Sequence, residues 1–333
     1  MESTVTVVGS LNFDLVTYTD VVPKGGETHQ AISFEKHIGG KGLNEAIAIS
    51  SLVKKDANTK VRMIGKVGDD SFGKELKDAL VNANVDTGYV ETIEGKSSGI
   101  AVIIVEKDSG ENRILITAGT NGELKPTNQD YETYFKEKPD NETHYVVFQN
   151  EYPDTLKTLN WVKENRPGIS IAYNPSPFKA EIINEELMSK LDLLIVNEGE
   201  SLSVASQILP HNEYDDFVKA VGSDEVQGFT NLAQKLQKLL SQEHISTQII
   251  TMGSKGAVYC SKNSGSDFVL AEKVENVVDT TGAGDTFFGG VILQLAAGAD
   301  INKAVKFATK ASALAIQKTG AAESIPKYSQ VIN

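Results

Sequence analysis

Two aspartates, Asp279 and Asp285, stand six residues apart with Thr-Thr-Gly-Ala-Gly between them, and the apolar run FFGGVILQLAAGA follows almost at once. The glycines permit backbone dihedrals and close approaches that a side chain would block. The apolar run has the length and composition of a buried helix, which puts Asp285 in its first turn. Free N–H groups and the positive end of the helix macrodipole would face the loop there. The stretch therefore predicts an anion held beside a carboxylate.

More acids and amides sit at the ends of short apolar runs. GSLNFD supplies Asn12 and Asp14, on one side of the chain if it stays extended. GGKGLN opens a helical pattern with Gly39, Gly40, Lys41, Gly42 and Asn44, Glu151 follows VVFQN, and Asn197 and Glu200 follow LLIV. Carboxylates accept from hydroxyls, amides donate and accept, and lysine donates, so together these groups suit a neutral polyol. Singly, Asp14 also fits a turn former, Asn44 an internal helix residue, Glu151 a surface charge before Pro153, and Asn197 a helix N-cap. The acids suggest a hard cation such as Mg²⁺, which takes few protein ligands and often rides on a substrate phosphate; Asn197 and Glu200 are candidates for its outer shell.

Missing motifs narrow the chemistry. No Walker loop, no G-x-G-x-x-G after a strand and no G-x-S-x-G occurs, and the histidines lack zinc spacing. A net charge of −13 argues against nucleic acid or an anionic membrane as a main partner. A sole cysteine, Cys260, excludes an intramolecular disulfide. No basic region precedes the first apolar run, a strand beginning by Val5 leaves no room for a signal peptide, and no apolar segment spans a bilayer. A soluble cytoplasmic protein is the expectation, with a nuclear fraction left open.

The elements that must position these residues follow a βαβ rhythm. TVTVVGS, KVRMIGKVG, HYVVFQ, ISIAYNP, DLLIVNE and TQIITMG read as strands, with GLNEAIAISSLVKK and SFGKELKDALVNAN as helices, which predicts a mainly parallel sheet. Ligands gather at the carboxyl ends of such strands. GGETHQAISFEKHIGG and SSGIAVIIVEKDSGENRILITAG break the rhythm. The second is a hairpin by pattern about Lys107-Asp108-Ser109-Gly110. Together they predict a small separate sheet able to close over a site, or else an edge extension of the main sheet. Leu209 to Gly228 reads as a polar surface insertion, and Asn141-Glu142-Thr143 as a chance glycosylation sequon.

GSLNFD, GGKGLN, NEGE and DTTGAGDTFFGG resemble, in order and position, the motifs of the PfkB carbohydrate kinase family, from Val5 to about Pro326. The lysine of GGKGLN, the acid of NFD and AGTNGEL are most similar to the family's ribose-phosphorylating members. The resemblance implies a single kinase domain over 1–333 with a ribokinase-like three-layer α/β/α core, a mainly parallel central sheet and a small β-sheet lid, approximately 14–38 and 97–118. It implies transfer from ATP to O5 of D-ribose, with Asp285 as base and the N–H groups of Gly282, Ala283 and Gly284 as anion hole. Asn12, Asp14, Gly40, Lys41, Asn44 and Glu151 would grip the sugar. Asn197 and the TMGSKG run (Thr251, Met252, Gly253, Ser254, Lys255, Gly256), with Gly284 nearby, would lie against the nucleotide. Asn197 and Glu200 would serve Mg²⁺, through water. Asp279, Thr281, Ala315, Lys318, Gly320 and Ser324 match a loop for an activating monovalent cation, usually K⁺. A homodimer through the lid sheet is implied as well. The alternatives are a kinase of 2-deoxyribose or a nucleoside, a sugar-binding regulator without turnover, and, more distantly, a nicotinamide oxidoreductase that would lack its phosphate fingerprint.

Overall fold

A computed structural model describes residues 2–107, 111–137 and 142–332. The expected turn residues Asp108 to Gly110 and the sequon's Asn141 lie outside them. Strand β1 (Glu2–Val8) passes through three residues into β2 (Asn12–Thr19), and β3 (Ser33–Gly39) runs into helix α1 (Lys41–Ser51). There follow β4 (Thr59–Gly68), α2 (Ser71–Asn82), β5 (Asp86–Ile93), β6 (Gly99–Glu106), β7 (Asn112–Thr117), α3 (Asn128–Tyr134), β8 (Glu142–Phe148) and α4 (Thr155–Asn165). The chain continues with β9 (Ser170–Tyr173), α5 (Glu185–Met188), β10 (Leu193–Asn197), α6 (Glu198–Ile208), α7 (His211–Ser223) and α8 (Glu225–Gln237). It ends with β11 (Thr247–Thr251), β12 (Gly256–Ser261), β13 (Gly265–Leu270), α9 (Ala283–Ala296), α10 (Ile301–Ala315) and α11 (Tyr328–Ile332).

The main sheet has the order β13-β12-β11-β10-β9-β8-β1-β4-β5, parallel from β11 to β5, with β12 and β13 added antiparallel. Its strands alternate between two cores. Val5 and Val7 of β1 with Tyr145 and Val147 of β8 face α1, α2, α9 and α10, while Val8, Val146 and Phe148 face α4, α6 and α8. Burial on both faces explains the near-continuous apolar reading of these strands. The two rhythm-breaking segments supply β3, β6 and β7 of a separate four-stranded sheet, β3-β2-β6-β7; its remaining strand, β2, lies in neither segment, pairs with β6 in parallel, and the β6–β7 hairpin is antiparallel. They are not an extension of the main sheet.

Helix α9 is buried along nearly its whole length. A Cβ at Gly289 would come within 2.6 Å of Ala48 Cβ on α1, and one at Gly290 within 3.0 Å of Ala308 Cα on α10. Those two glycines let three helices approach closely and set α9 beside α1. The segment read as a polar insertion is helical: α7 presents Tyr214, Phe217 and Val221 inward and its acids to solvent. No described helix is long and apolar enough to cross a membrane.

Candidate active site

Gly282 caps α9 in the left-handed region, with φ at 73° and its α-carbon packed on Ala321, where a Cβ would fall 2.8 Å from Ala321 Cα. This bend aims the first turn of α9 across the carboxyl ends of the central strands. Asp285 stands in that turn and is buried. Its Oδ2 accepts from Asn44 Nδ2 at 2.8 Å, and Lys41 Nζ lies 3.7 Å from its Oδ1.

Lys41 and Asn44 share the first turn of α1, whose start is as tightly constrained. Gly40 has φ at 90°, and a Cβ at Gly42 would strike the backbone of Gly9 and Ser10. Glu151 Oε2 accepts from the Lys41 amide at 2.8 Å and from Ser10 Oγ. Burial would lower the Lys41 ammonium, but the negative charge beside it, of Asp285 first and then Glu151, outweighs that and holds the group above the ordinary lysine range. Lys41 stays charged.

Asn12 and Asp14 lie on β2, in the small sheet. Asn12 Oδ1 accepts from Asn121 Nδ2 at 2.8 Å; Asn121 also bonds the amide and carbonyl of Leu11, at 2.9 and 3.0 Å. Asn121 is buried in the short turn of AGTNGEL, and nothing in its sequence setting marked it as the clamp on Asn12. Asp14 packs against Gly39, where a Cβ would be 2.4 Å from its Oδ2. Burial, then the negative charge of Glu151, with Glu323 and Asp285 adding, pushes the Asp14 carboxyl up to about 7 against the opposing pull of His37.

Asp279 fastens the loop before α9. Its Oδ1 accepts from the amide and hydroxyl of Thr281 at 2.9 and 2.6 Å, and its Oδ2 from the Gly320 amide at 2.9 Å. Burial opposes ionisation, but these bonds prevail and hold its carboxyl below the ordinary range. Ala315 O accepts from the Lys318 amide at 3.1 Å, and Ser324, fully buried, donates to Ala321 O at 3.0 Å. Beyond Gly320, Glu323 accepts from the amide of Ile38 on β3 at 3.2 Å and lies 3.8 Å from His37, so this loop also touches the small sheet.

Farther along the strand ends, Asn197 and Glu200 close a reciprocal capping box on α6, at 2.8 and 3.1 Å. Asn197 is registered opposite Thr251 at the end of β11. Met252 is buried, Gly253–Lys255 form a tight turn, and Gly256, at φ 130°, adjoins Val269 so closely that a Cβ would overlap its carbonyl. Lys255 pairs with Glu225 at 2.5 Å and Glu198 at 3.7 Å. Thr309 turns its hydroxyl to Val305 O and borders a cavity of about 430 Å³ with Phe268, Leu270, Lys306 and Lys310. Lys41, Asn44, Glu151 and Asp285 thus meet in one cluster, with Asp14 and Glu200 within electrostatic reach; Asn197 and the Thr251–Gly256 run form a neighbouring group along the same sheet edge.

A family model described as pfkB family carbohydrate kinase matches residues 2–328. The chain belongs to that family. Among relatives, the ribokinase of Schizosaccharomyces pombe is 36% identical, the match covering 98% of this chain and 96% of the relative. A deoxyribokinase of Salmonella typhi is 33% identical over 98% of this chain and 96% of its own. The structure of Arabidopsis thaliana ribokinase complexed with ribose and ATP matches at a TM-score of 0.80 and 26% identity, covering 100% of this chain and 98% of that one. As a PfkB family carbohydrate kinase, the chain is a phosphotransferase acting on an alcohol group, and its fold is ribokinase-like.

Proposed function

We propose that this kinase transfers the γ-phosphoryl group of ATP to O5 of D-ribose, giving D-ribose 5-phosphate and ADP. The observation that carries the reading is the Asp285 carboxylate, set in the first turn of α9 and held by Asn44 and Lys41. It lies where an acceptor hydroxyl and a migrating phosphoryl group could meet. Phosphoryl transfer runs through a loose transition state, so alignment and charge stabilisation do most of the work, and a carboxylate suffices as base because the proton moves late. Asp285 orients and takes the hydroxyl proton. The amides of Gly282 and Gly284 and the α9 dipole receive the charge on the phosphoryl oxygens, joined by the Ala283 amide, which donates to Thr280 O at 3.2 Å and must turn from it to take part. Asn12, Asp14, Gly40, Lys41, Asn44 and Glu151 hold the sugar hydroxyls, and Asn197 with Thr251, Met252, Gly253, Ser254, Lys255 and Gly256 faces the nucleotide.

Mg²⁺ fits this site only as an ion shared with the phosphates. Among the described residues no cluster of three or more His, Cys, Asp or Glu could hold a metal ion, while Asn197 and Glu200 offer an amide and a carboxylate suited to water-mediated contact. When bound, it would neutralise charge on the β- and γ-phosphates. Asp279, Thr281, Ala315, Lys318, Gly320 and Ser324 would offer carboxylate, hydroxyl and carbonyl oxygens, a donor set that suits K⁺; the bonds from Thr281 and Gly320 to Asp279 support it. Its charge would stiffen the anion-hole loop. The small sheet acts as a lid and as the contact with a second copy: Phe34, Val102 and Leu115 expose apolar surface on one of its faces, and Ile114 and Ile116 on the other.

The second reading, 2-deoxyribose as acceptor, is favoured by the deoxyribokinase relative. ADP release with MgATP and ribose, 2-deoxyribose, fructose or adenosine, each in potassium and in sodium, separates them. Ribose-dependent turnover raised by potassium is expected; ribose binding by calorimetry without turnover on any acceptor would instead identify a regulator.

A further inference from the structure

Glu45 is fully buried and stands outside every role assigned above. It follows Asn44 in α1, one turn after Lys41. Its carboxyl accepts from Gln149 Nε2, and from Asn174 Nδ2 at 3.4 Å. Gln149 directly follows β8 and Asn174 directly follows β9, so the three polar side chains meet beneath the site, between α1 and the strand ends. Glu151, on the same strand exit as Gln149, accepts from the Lys41 amide. Two rungs therefore join the first turn of α1 to the Gln149–Glu151 segment, one exposed to the site and one sealed below it.

The sealed rung is short of donors. Asn44 Oδ1, Gln149 Oε1 and Asn174 Oδ1 are buried acceptors without a partner. Each such atom left unpaired is costly, and an ionised Glu45 would add only further acceptors. It would also set a second buried negative charge near Asp285. A carboxyl that keeps its proton has one donor to give. Burial, followed by the charge of Asp285, pushes Glu45 well above the ordinary carboxylate range, against the pull of Lys41, Gln149 and Asn174.

We propose that Glu45 is a positioning residue for phosphoryl transfer: with one of the two amides turned over to present its oxygen, the protonated carboxyl donates to that amide and accepts from the other, and so fixes Lys41 and Asn44 relative to Glu151. It touches neither substrate. The inference rests on the proposed reading of Lys41, Asn44, Glu151 and Asp285 as the site of transfer. The groups facing Glu45 are Lys41 from its own helix, Asp285 from α9, and the neutral Gln149 and Asn174 from the strand ends. At high pH Glu45 ionises, the donor is lost, and repulsion from Asp285 loosens the rung.

The test compares wild type with Glu45→Gln and Glu45→Ala. The glutamine keeps a donor and an acceptor but cannot ionise. E45Q should hold kcat/KM for ribose within about threefold of wild type at neutral pH and lose the wild-type decline at high pH. E45A should raise the ribose KM on the order of tenfold while the KM for ATP changes little. A folded E45Q that loses tenfold or more at neutral pH, or that keeps the high-pH decline unaltered, overturns the proposal. Infrared difference spectra of wild type minus E45Q should carry the carbonyl band of a protonated carboxyl, and its absence also overturns it. That band reads Glu45 even if the wild type turns over no sugar, an outcome that would count against the proposed function instead.

Discussion

Asn44 and Asp285 are 241 positions apart in the chain and 2.8 Å apart in space, joined by an amide-to-carboxylate hydrogen bond that ties the first turn of α1 to the first turn of α9. The bond fixes the carboxylate plane while the second oxygen faces Lys41. It orders the proposed base before any substrate arrives.

Replacing that base should therefore abolish transfer without dismantling the sugar site. Asp285→Asn keeps the shape and removes the proton acceptor, and kcat should fall by about 10²–10⁴-fold, the usual worth of a general base. Calorimetry should still detect ribose. A variant with near-normal ADP release would refute the assignment.

Asp14 supplies a pH signature. Its carboxyl is pushed from 3.8 up to about 7 in the folded protein, so the folded state binds the extra proton between those values and this group's contribution to stability declines as pH rises through that window. If the carboxylate is the form that grips hydroxyls, ribose binding near neutral pH releases protons. Calorimetry in buffers of different ionisation enthalpy should show that release, and Asp14→Asn should lose both the release and much of the affinity while melting higher than wild type above pH 7. Equal melting temperatures there would contradict the buried-charge account.

How much of this was legible beforehand depends on where the signal lay. The α9 glycine stretch, the parallel strands and the separate sheet carry local periodicity and turn chemistry, and each is found at its expected place. Asn197 takes the N-cap place that its sequence setting allowed, closing α6 at the strand end opposite Thr251. The helix α7 was hidden by its acids, although Tyr214, Phe217 and Val221 keep a helical interval. Asn121 and Glu45 could not be singled out, because their meaning comes from partners such as Asn12 and Gln149, 109 and 104 positions away. Strand β12 carries a short mixed run whose burial only the tertiary packing supplies, and β13, mostly exposed, is placed by its pairing with it.

The Asp279 loop should respond to the monovalent cation. Asp279→Ala removes three hydrogen bonds and the carboxylate offered to potassium, so the activity ratio between potassium and sodium should collapse toward one and kcat should fall on the order of tenfold or more. Because the Asp279 carboxyl is held below its ordinary range, its stabilising contribution is present above the unfolded value of 3.8 and lost only as pH drops through the lower folded value. Potassium activation retained in full by Asp279→Ala would place the cation elsewhere.

The lid edge should decide the oligomeric state. Leu115 is 70% exposed and Ile116 59%, both on β7. Charged substitutions at both should convert a dimer to a monomer in sedimentation while leaving the α/β core folded. Unchanged sedimentation would exclude this sheet as the contact.

The bond from Asp279 to the Gly320 amide has a consequence for how the molecule comes into being. A nascent chain carries Asn12, Asp14, Lys41 and Asn44 at least 241 residues before Asp285. The loop preceding Asp285 is not fastened until Gly320 has also emerged and turned back on it. On the ribosome, then, the half of the cleft furnished by Asn12 to Asn44 waits for a partner half whose latch emerges 35 residues after Asp285 itself.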